Sequence, residues 1–417
     1  MREMVESGIE WIGLYPPDWS LERLQWHLAE INDKNDPIIT TQVLSLTNKR
    51  GVIPYEEKGA QGNVSKENYD GYKIAYPDTI VANSMNILIG SVGYSHYYGC
   101  VSPVYYVFKQ REGNDLRFIN FVMQTSQFQK ELRKHANGIL EIRLRVSSND
   151  ILKTKCVFPA FDEQKRIADY LEAKCTQIDS IIYKHERIIS NLKEYYHASI
   201  SESFDNDNNR TRLGNVLLAI EQGWSPSPED TNQDNEWNVI TLSAVKNGTF
   251  HSSEVKQFVG NQNKYGHLLL SNGDFLLTRS NTRNLVGQVC IVDQVSQNTI
   301  FSDLVYRLKL NEKYIDNQFA LFMFQSAFLR QQIERSAHGS SSTMVKITHK
   351  DINSWIIYLP DKKTQNAIAS KLITLHEKIS REIIIHEKIV AKLSDFKKAL
   401  IFEVVTGKKA VDSLCEK

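Results

Sequence analysis

The feature that most constrains this chain is a long internal repeat. Residues 158–204 recur as residues 359–405 without a gap, with Pro159 matching Pro360 at an offset of 201. Pro159, Gln164, Ile167, Ala168, Leu171, Ile178, Ile182, His185, Glu186, Ile188, Leu192, Ala198, Ile200 and Glu202 all meet identical residues at that offset, from Pro360 to Glu403. A period near half of the 417 residues is too long for a solenoid unit, so it predicts two related halves fused into a pseudo-dimer.

Both copies read as long helices. Ile167, Leu171, Ile178, Ile182, Ile189 and Leu192 in the first, and Ile368, Leu372, Leu375, Ile379, Ile383, Val390 and Leu393 in the second, step by three, four and seven. So narrow an apolar seam is the pattern of a coiled coil, and these residues are expected to pair one helix with the other, antiparallel if a two-fold axis relates the halves. Each stretch runs for about 40 residues without Pro or Gly, which at about 1.5 Å per residue gives a rod of about 60 Å. Pro159 and Pro360 end an extended segment before each helix, with Asp162 or Thr364 as the expected N-cap. His185 and His386 are equivalent and lie beside the seam, where hydrogen-bonded packing is expected of them.

The segments before the helices correspond more weakly. Arg23, Leu24, Leu28 and Ile31 parallel Arg212, Leu213, Leu217 and Ile220; Ser102 and Tyr106 match Ser302 and Tyr306; Met123, Ser126 and Phe128 match Met323, Ser326 and Phe328. Apolar β-type runs at 79–89, 101–108, 274–278, 287–292 and 304–310, with single helices expected at 117–135 and 316–337, give a mixed α+β fold. A common scaffold with divergent loops suits a protein that reads two targets with one architecture.

Chemistry leaves few traces. The sequence has no GxxxxGK[ST] phosphate loop, GxGxxG, GxSxG or HExxH. Asn35-Asp36-Pro37-Ile38 is close to an amino-methyltransferase motif but lacks its second proline and aromatic, and Asp162-Glu163-Gln164-Lys165 sits at a helix start, where acidic residues suit the dipole. Cys100, Cys156, Cys175, Cys290 and Cys415 form no CxxC or zinc spacing and read as reduced packing residues. The longest apolar stretch, 87–108, is broken by three glycines, a histidine and Pro103, so a cytoplasmic chain without a membrane span is expected. A net charge of +1 neither demands nor forbids a nucleic-acid partner, since a local basic stripe suffices.

These residues resemble the specificity subunit of a Type I restriction-modification system. The likeness rests on Glu6-Ser7-Gly8-Ile9-Glu10-Trp11-Ile12-Gly13 with Pro17 and Trp19, on Pro159, Glu163 and Gln164 before the first helix, and on Val404-Val405-Thr406-Gly407 at the close. It departs at Thr364, where the second copy lacks the acidic residue before Gln365. The resemblance implies a pseudo-two-fold chain with a target recognition domain at 1–157, a spacer helix at 158–204, a linker at 205–213, a second recognition domain at 214–358, a second spacer helix at 359–406 and a tail at 407–417. It further implies that the chain does no chemistry and binds no cofactor itself. Each domain would read half of an asymmetric bipartite site on double-stranded DNA, while the paired helices set the gap and dock two modification subunits. Those subunits would carry S-adenosylmethionine and methylate adenine N6; a restriction subunit, where present, would bring ATP and Mg.

The DNA-contacting residues are assigned by side-chain chemistry: Arg suits guanine O6/N7, Asn suits adenine N6/N7, and hydroxyls suit either bases or phosphate. In the second domain the best loop is Arg279, Ser280, Asn281, Arg283 and Asn284, with His338, Ser340, Ser341 and Lys346 as a second wall. In the first domain the equivalents are Asn83, Ser84 and Asn86, with Arg143 and Arg145 opposite and Lys49 and Arg50 on phosphate. The rival readings are a self-contained DNA methyltransferase or nuclease, and a coiled-coil scaffold that binds no DNA.

Overall fold

The computed structural model describes residues 2–47, 50–59, 69, 71–136, 144–205, 208–225, 235–260, 265–339 and 344–411. The chain divides into two units, Met1–His185 with Lys388–Lys417, and Glu186–Glu387. The division falls near the middle of each stretch expected as a spacer helix, 158–204 and 359–406, so that one end of each lies in either unit.

Each unit is built round a four-stranded antiparallel sheet of the same order. In the first, Leu28–Ile31, Tyr105–Gln110, Thr79–Asn83 and Val92–Ser95 lie side by side; in the second, Leu217–Gln222, Val305–Leu310, Phe275–Thr278 and Val289–Ile291. Both faces of each sheet are covered. Ile80, Ala82 and Phe108 point into one core while Val81 and Val107 point into another, and Phe275 and Leu277 face away from Leu276 in the same way. Burial on both faces is why these strands read as apolar runs instead of alternating. The opening strand of each unit pairs with the strand that leads into the long helix, Ser20–Arg23 with Lys155–Phe158 and Arg210–Arg212 with Ile356–Tyr358.

The helices are α1 (Leu116–Gln124), α2 (Ser126–Arg133), α3 (Ser148–Lys153) and α4 (Phe161–Phe204), repeated as α5 (Asn317–Gln325), α6 (Ala327–Ser336), α7 (His349–Ser354) and α8 (Lys362–Val405). The single helices expected at 117–135 and 316–337 are each two. Thr125 and Ser326 adopt extended backbone, donate a hydroxyl back to Val122 and Met323, and accept the N–H of Phe128 and Leu329, ending one helix while capping the next. The expected caps of the long helices are corrected too. Asp361 caps α8 by accepting the Thr364 N–H at 2.9 Å, and Asp162 lies inside the first turn of α4.

The shared Pro and Gln before each long helix have a common task. Gln164, buried, accepts the Asp115 N–H and donates to the Pro159 carbonyl, both at 3.0 Å. Gln365, fully buried, does the same with Asp316 at 2.9 Å and Pro360 at 2.8 Å. Each side chain thus ties the start of the long helix to the start of α1 or α5. Glu163, in the acidic first turn of α4, accepts from Arg2 and the Trp19 indole.

In the first unit, Ile167, Leu171, Ile178 and Ile182 of α4 share a core with Leu393, Leu400, Ile401 and Val404 of α8. The two run antiparallel there: Asp179 pairs with Lys397 at 2.7 Å, while Glu163 and Ile167 line one cavity with Ala410 and Val411. In the second unit, Ile368, Leu372 and Leu375 pack with Tyr196, Ile200 and Phe204. Ile379 is buried, and Ile189, Leu192, Ile383, Val390, His185 and His386 are half-buried. Gly407, at positive φ, closes α8 where a Cβ would collide with the Pro16 ring, which accounts for the glycine in the closing motif. Cys100, Cys156, Cys175 and Cys290 are buried free thiols; burial pushes Cys175 up to about 11 and the other three upward as well, consistent with packing roles, while Cys415 lies outside the described residues.

Candidate nucleic-acid interface

The expected reading loops of the two units hang from one hydrogen-bonded frame. After Thr79–Asn83, the Ser84 N–H donates to Val104 O at 3.4 Å, Ser84 O accepts from Val146 N–H at 3.1 Å, and the Tyr106 hydroxyl donates to Val146 O at 3.2 Å. After Phe275–Thr278, Arg279 donates to Leu304 O at 2.7 Å and accepts from Ile347 at 3.0 Å, and the Tyr306 hydroxyl reaches Ile347 O at 3.3 Å. Ser84 and Arg279 are therefore equivalent, and so are the residues that follow them.

In the second unit the two predicted walls come together. Ser280–Asn281 pairs antiparallel with Val345–Lys346, and His338 bridges Lys346 on its other side. On this ribbon Lys346, Arg283 and Asn284 are exposed, and Asn281 is half-buried. Arg283 donates from Nη1 to Glu334 O at 2.8 Å, which anchors one edge of its guanidinium while the side chain stays exposed, and Asn281 Oδ1 accepts the Thr282 N–H. The His338 ring, 67% exposed, lies 3.3 Å from Asp351. Partial burial opposes ionisation of Asp351, but hydrogen bonds from the Thr348 hydroxyl and N–H and from His338 outweigh it and hold the carboxyl below its ordinary range.

Two assignments fare differently. Ser280 is fully buried and donates its hydroxyl to Val345 O at 3.1 Å, so it serves the ribbon and has no face for a base. Arg279 is half-buried, with Nη1 on Asp303 O at 3.2 Å and its guanidinium 5.7 Å from the Tyr306 ring centre, while its Nε is buried without a partner. In the first unit Asn83 and Ser84 are buried, Asn83 Oδ1 accepting the Met85 N–H, so both belong to the frame. Asn86 and Arg145 are exposed, Arg145 Nη2 lying 3.8 Å from Met85 Sδ. Arg50 is exposed but ion-paired with Glu57. Lys49, Arg143, Ser340 and Ser341 lie outside the described residues.

A second kind of surface escaped the sequence reading. Tyr183 (58% exposed) and Ile384 (49%) occupy equivalent positions of the two long helices, as do Tyr195 (58%) and Phe396 (53%). The signal was available in the repeat, as large apolar residues preserved at the 201 offset but off the seam. Among the described residues no group of three or more His, Cys, Asp and Glu could hold a metal ion, and no helix is long and apolar enough to cross a membrane.

Each of the two alike α+β units carries a differently furnished loop surface, and each holds one end of both duplicated helices. Residues 206–396 match the family described as the Type I restriction modification DNA specificity domain. The chain is 24% identical over 163 residues to the EcoEI specificity subunit of Escherichia coli, covering 39% of this chain and 27% of that one. It is 22% identical over 271 residues to the EcoKI specificity subunit of E. coli K12, covering 61% and 57%. The chain thus spans about a quarter and somewhat over half of these curated relatives. In fold it resembles a chain from a study of complex assembly and conformational transition in the type I R-M system, with a TM-score of 0.70 at 15% identity over 94% of this chain and 98% of that one. The HsdS subunit from Thermoanaerobacter tengcongensis gives 0.50 at 14% identity, over 95% and 98%. Residues 206–396 thus carry the likeness to the DNA specificity domain, and over its wider length the chain is similar to Type I specificity subunits.

Proposed function

We propose that this chain is the noncatalytic DNA-recognition subunit of a Type I restriction-modification complex, each unit reading one half of an asymmetric bipartite site. The observation that carries the reading is the frame built twice. The same three hydrogen bonds support Ser84 and Arg279, yet the residues they present differ, Asn86 with Arg145 in one unit and Arg283, Asn284 and Lys346 in the other. Two different half-sites need that combination of equal support and unequal chemistry.

The paired helices set the gap between half-sites and dock two modification subunits, which carry S-adenosylmethionine and methylate adenine N6; a restriction subunit brings ATP and Mg. Support for two identical partners comes from the matched exposed positions Tyr183 with Ile384 and Tyr195 with Phe396, since identical subunits require equivalent faces. The test is co-expression of the chain with a Type I modification subunit, followed by methylome sequencing of the host. A split motif methylated on both strands is expected. Methyl transfer to DNA by the purified chain alone would overturn the reading.

A further inference from the structure

The Asn35-Asp36-Pro37-Ile38 motif is not absorbed by the frame or by the helices. Asn35 is fully buried, and its side chain is spent on the loop that follows: Oδ1 accepts the N–H groups of Ile39 at 2.8 Å and Thr40 at 3.0 Å, and Nδ2 donates to Thr40 O at 2.8 Å. The Asn35 N–H is tied in turn to Tyr72 O at 2.8 Å. What this pinned loop presents is apolar. Ile38 is 54% and Ile39 63% exposed, side by side at the tip.

The root of the loop adjoins the candidate interface. Lys34 bridges Lys73, which faces Val101 across the strand pair, and the residues just after Val101 lead to Val104, whose carbonyl holds Ser84. Lys73 also sits 5.3 Å over the ring of Tyr106, whose hydroxyl holds Val146 beside Arg145. The exposed Asp36 and two isoleucines are a poor surface for phosphate. They suit base edges in the major groove, where thymine offers a methyl group and cytosine an amino donor. Pinning removes the entropy cost of ordering such a tip on contact. In the second unit Trp224 stands at the position of Asn35, stacked on Tyr265 at 4.7 Å, and residues 226–236 contain no adjacent apolar pair.

We infer that the Asn35-pinned Ile38–Ile39 tip is a base-reading element that packs on thymine methyl groups in the half-site of the first unit only. The inference rests on the DNA-recognition reading and sharpens it. The experiment uses the full chain assembled with its modification subunits and a duplex carrying the methylated motif, each thymine replaced in turn by deoxyuridine, which lacks only the methyl. In one half-site alone, replacement weakens wild-type binding about fourfold per contacted methyl. The Ile38→Ser/Ile39→Ser variant binds the thymine duplex more weakly than wild type, assembles normally, and is indifferent to the replacement. Equal sensitivity of wild type and variant to deoxyuridine overturns the inference while leaving DNA recognition standing. Loss of assembly in the variant also overturns it and makes the tip a protein contact. A wild-type complex that binds no duplex removes the underlying reading as well.

Discussion

Replacing Gln365 tests whether the duplicated Pro and Gln signature is a structural tie. Its side chain is fully buried, accepts from Asp316 N–H at 2.9 Å, and donates to Tyr314 O and Pro360 O, both at 2.8 Å. Gln365→Met keeps the volume and removes all three bonds, leaving one donor and two carbonyls to find other partners. At about 1–3 kcal/mol for each buried group left unpaired, with partial relief from the carbonyls' second lone pairs, the loss is about 3 kcal/mol. For a unit of this size that is a fall of about 6–12 °C in Tm. Gln365→Ala should cost more, because a cavity is added. Gln365→Glu should do no better than Met, since a carboxylate can accept from Asp316 but faces two carbonyls it cannot donate to. The assay is thermal unfolding of the full chain followed by tryptophan fluorescence, to which Trp355 in the same core contributes. A Met variant within 2 °C of wild type would refute the tie and leave the repeated glutamine unexplained.

Thr125→Ala and Ser326→Ala should each cost about 1 kcal/mol, measurable by urea unfolding, because each hydroxyl ends one helix and caps the next. Glu221 is held below the ordinary carboxylate range: burial opposes this, but Lys309 and Arg307 outweigh it. Its folded pKa being below its unfolded one, its contribution is complete above the unfolded value near pH 4.3 and is lost as pH falls through the folded value. Wild type should therefore lose more stability than Glu221→Gln between about pH 5 and pH 3. On DNA, Lys346→Ala should weaken binding to specific and unspecific duplexes alike and lower the salt slope by about one, whereas Arg283→Ala should cost about 1–3 kcal/mol on the cognate half-site only.

What could be read in advance followed the physics that sets each feature. The helix seam and the strand runs are legible because burial dictates them at fixed periods, so Ile167, Leu171, Leu372 and the apolar run at Phe275–Thr278 sit where their periodicity requires. The break at Thr125 was missed because apolar periodicity continues from α1 into α2, with Phe128 and Leu132 buried beyond the cap. Among site residues, side-chain chemistry singled out a stretch but could not say which way each group turns. Arg283 and Lys346 face solvent, while Ser280 and Arg279, equally suited to DNA by type, are drawn inward by Val345 O, Asp303 O and the Tyr306 ring. Neighbours 24 to 65 residues away decide that direction, and no local pattern encodes them.

The frame also accounts for how two halves of one ancestry can come to read different sequences. At Ser84 and Arg279 the conserved bonds are made entirely by backbone N–H and carbonyl groups, and only the tyrosine hydroxyl from the neighbouring strand is a side-chain contribution. Side-chain identity at that position is therefore nearly independent of the support beneath it. Arg279→Ser, which installs the residue of the other half, should keep the fold and cost about 1–3 kcal/mol, for the lost contact between the guanidinium and the Tyr306 ring and the lost hydrogen bond to Asp303 O. A change in half-site preference would report the loss of its half-buried guanidinium, which Asp303 O holds through Nη1. Thermal unfolding and binding selections on randomised half-sites separate the two effects. Global unfolding of Arg279→Ser would show that the side chain, and not the backbone frame, holds the loop.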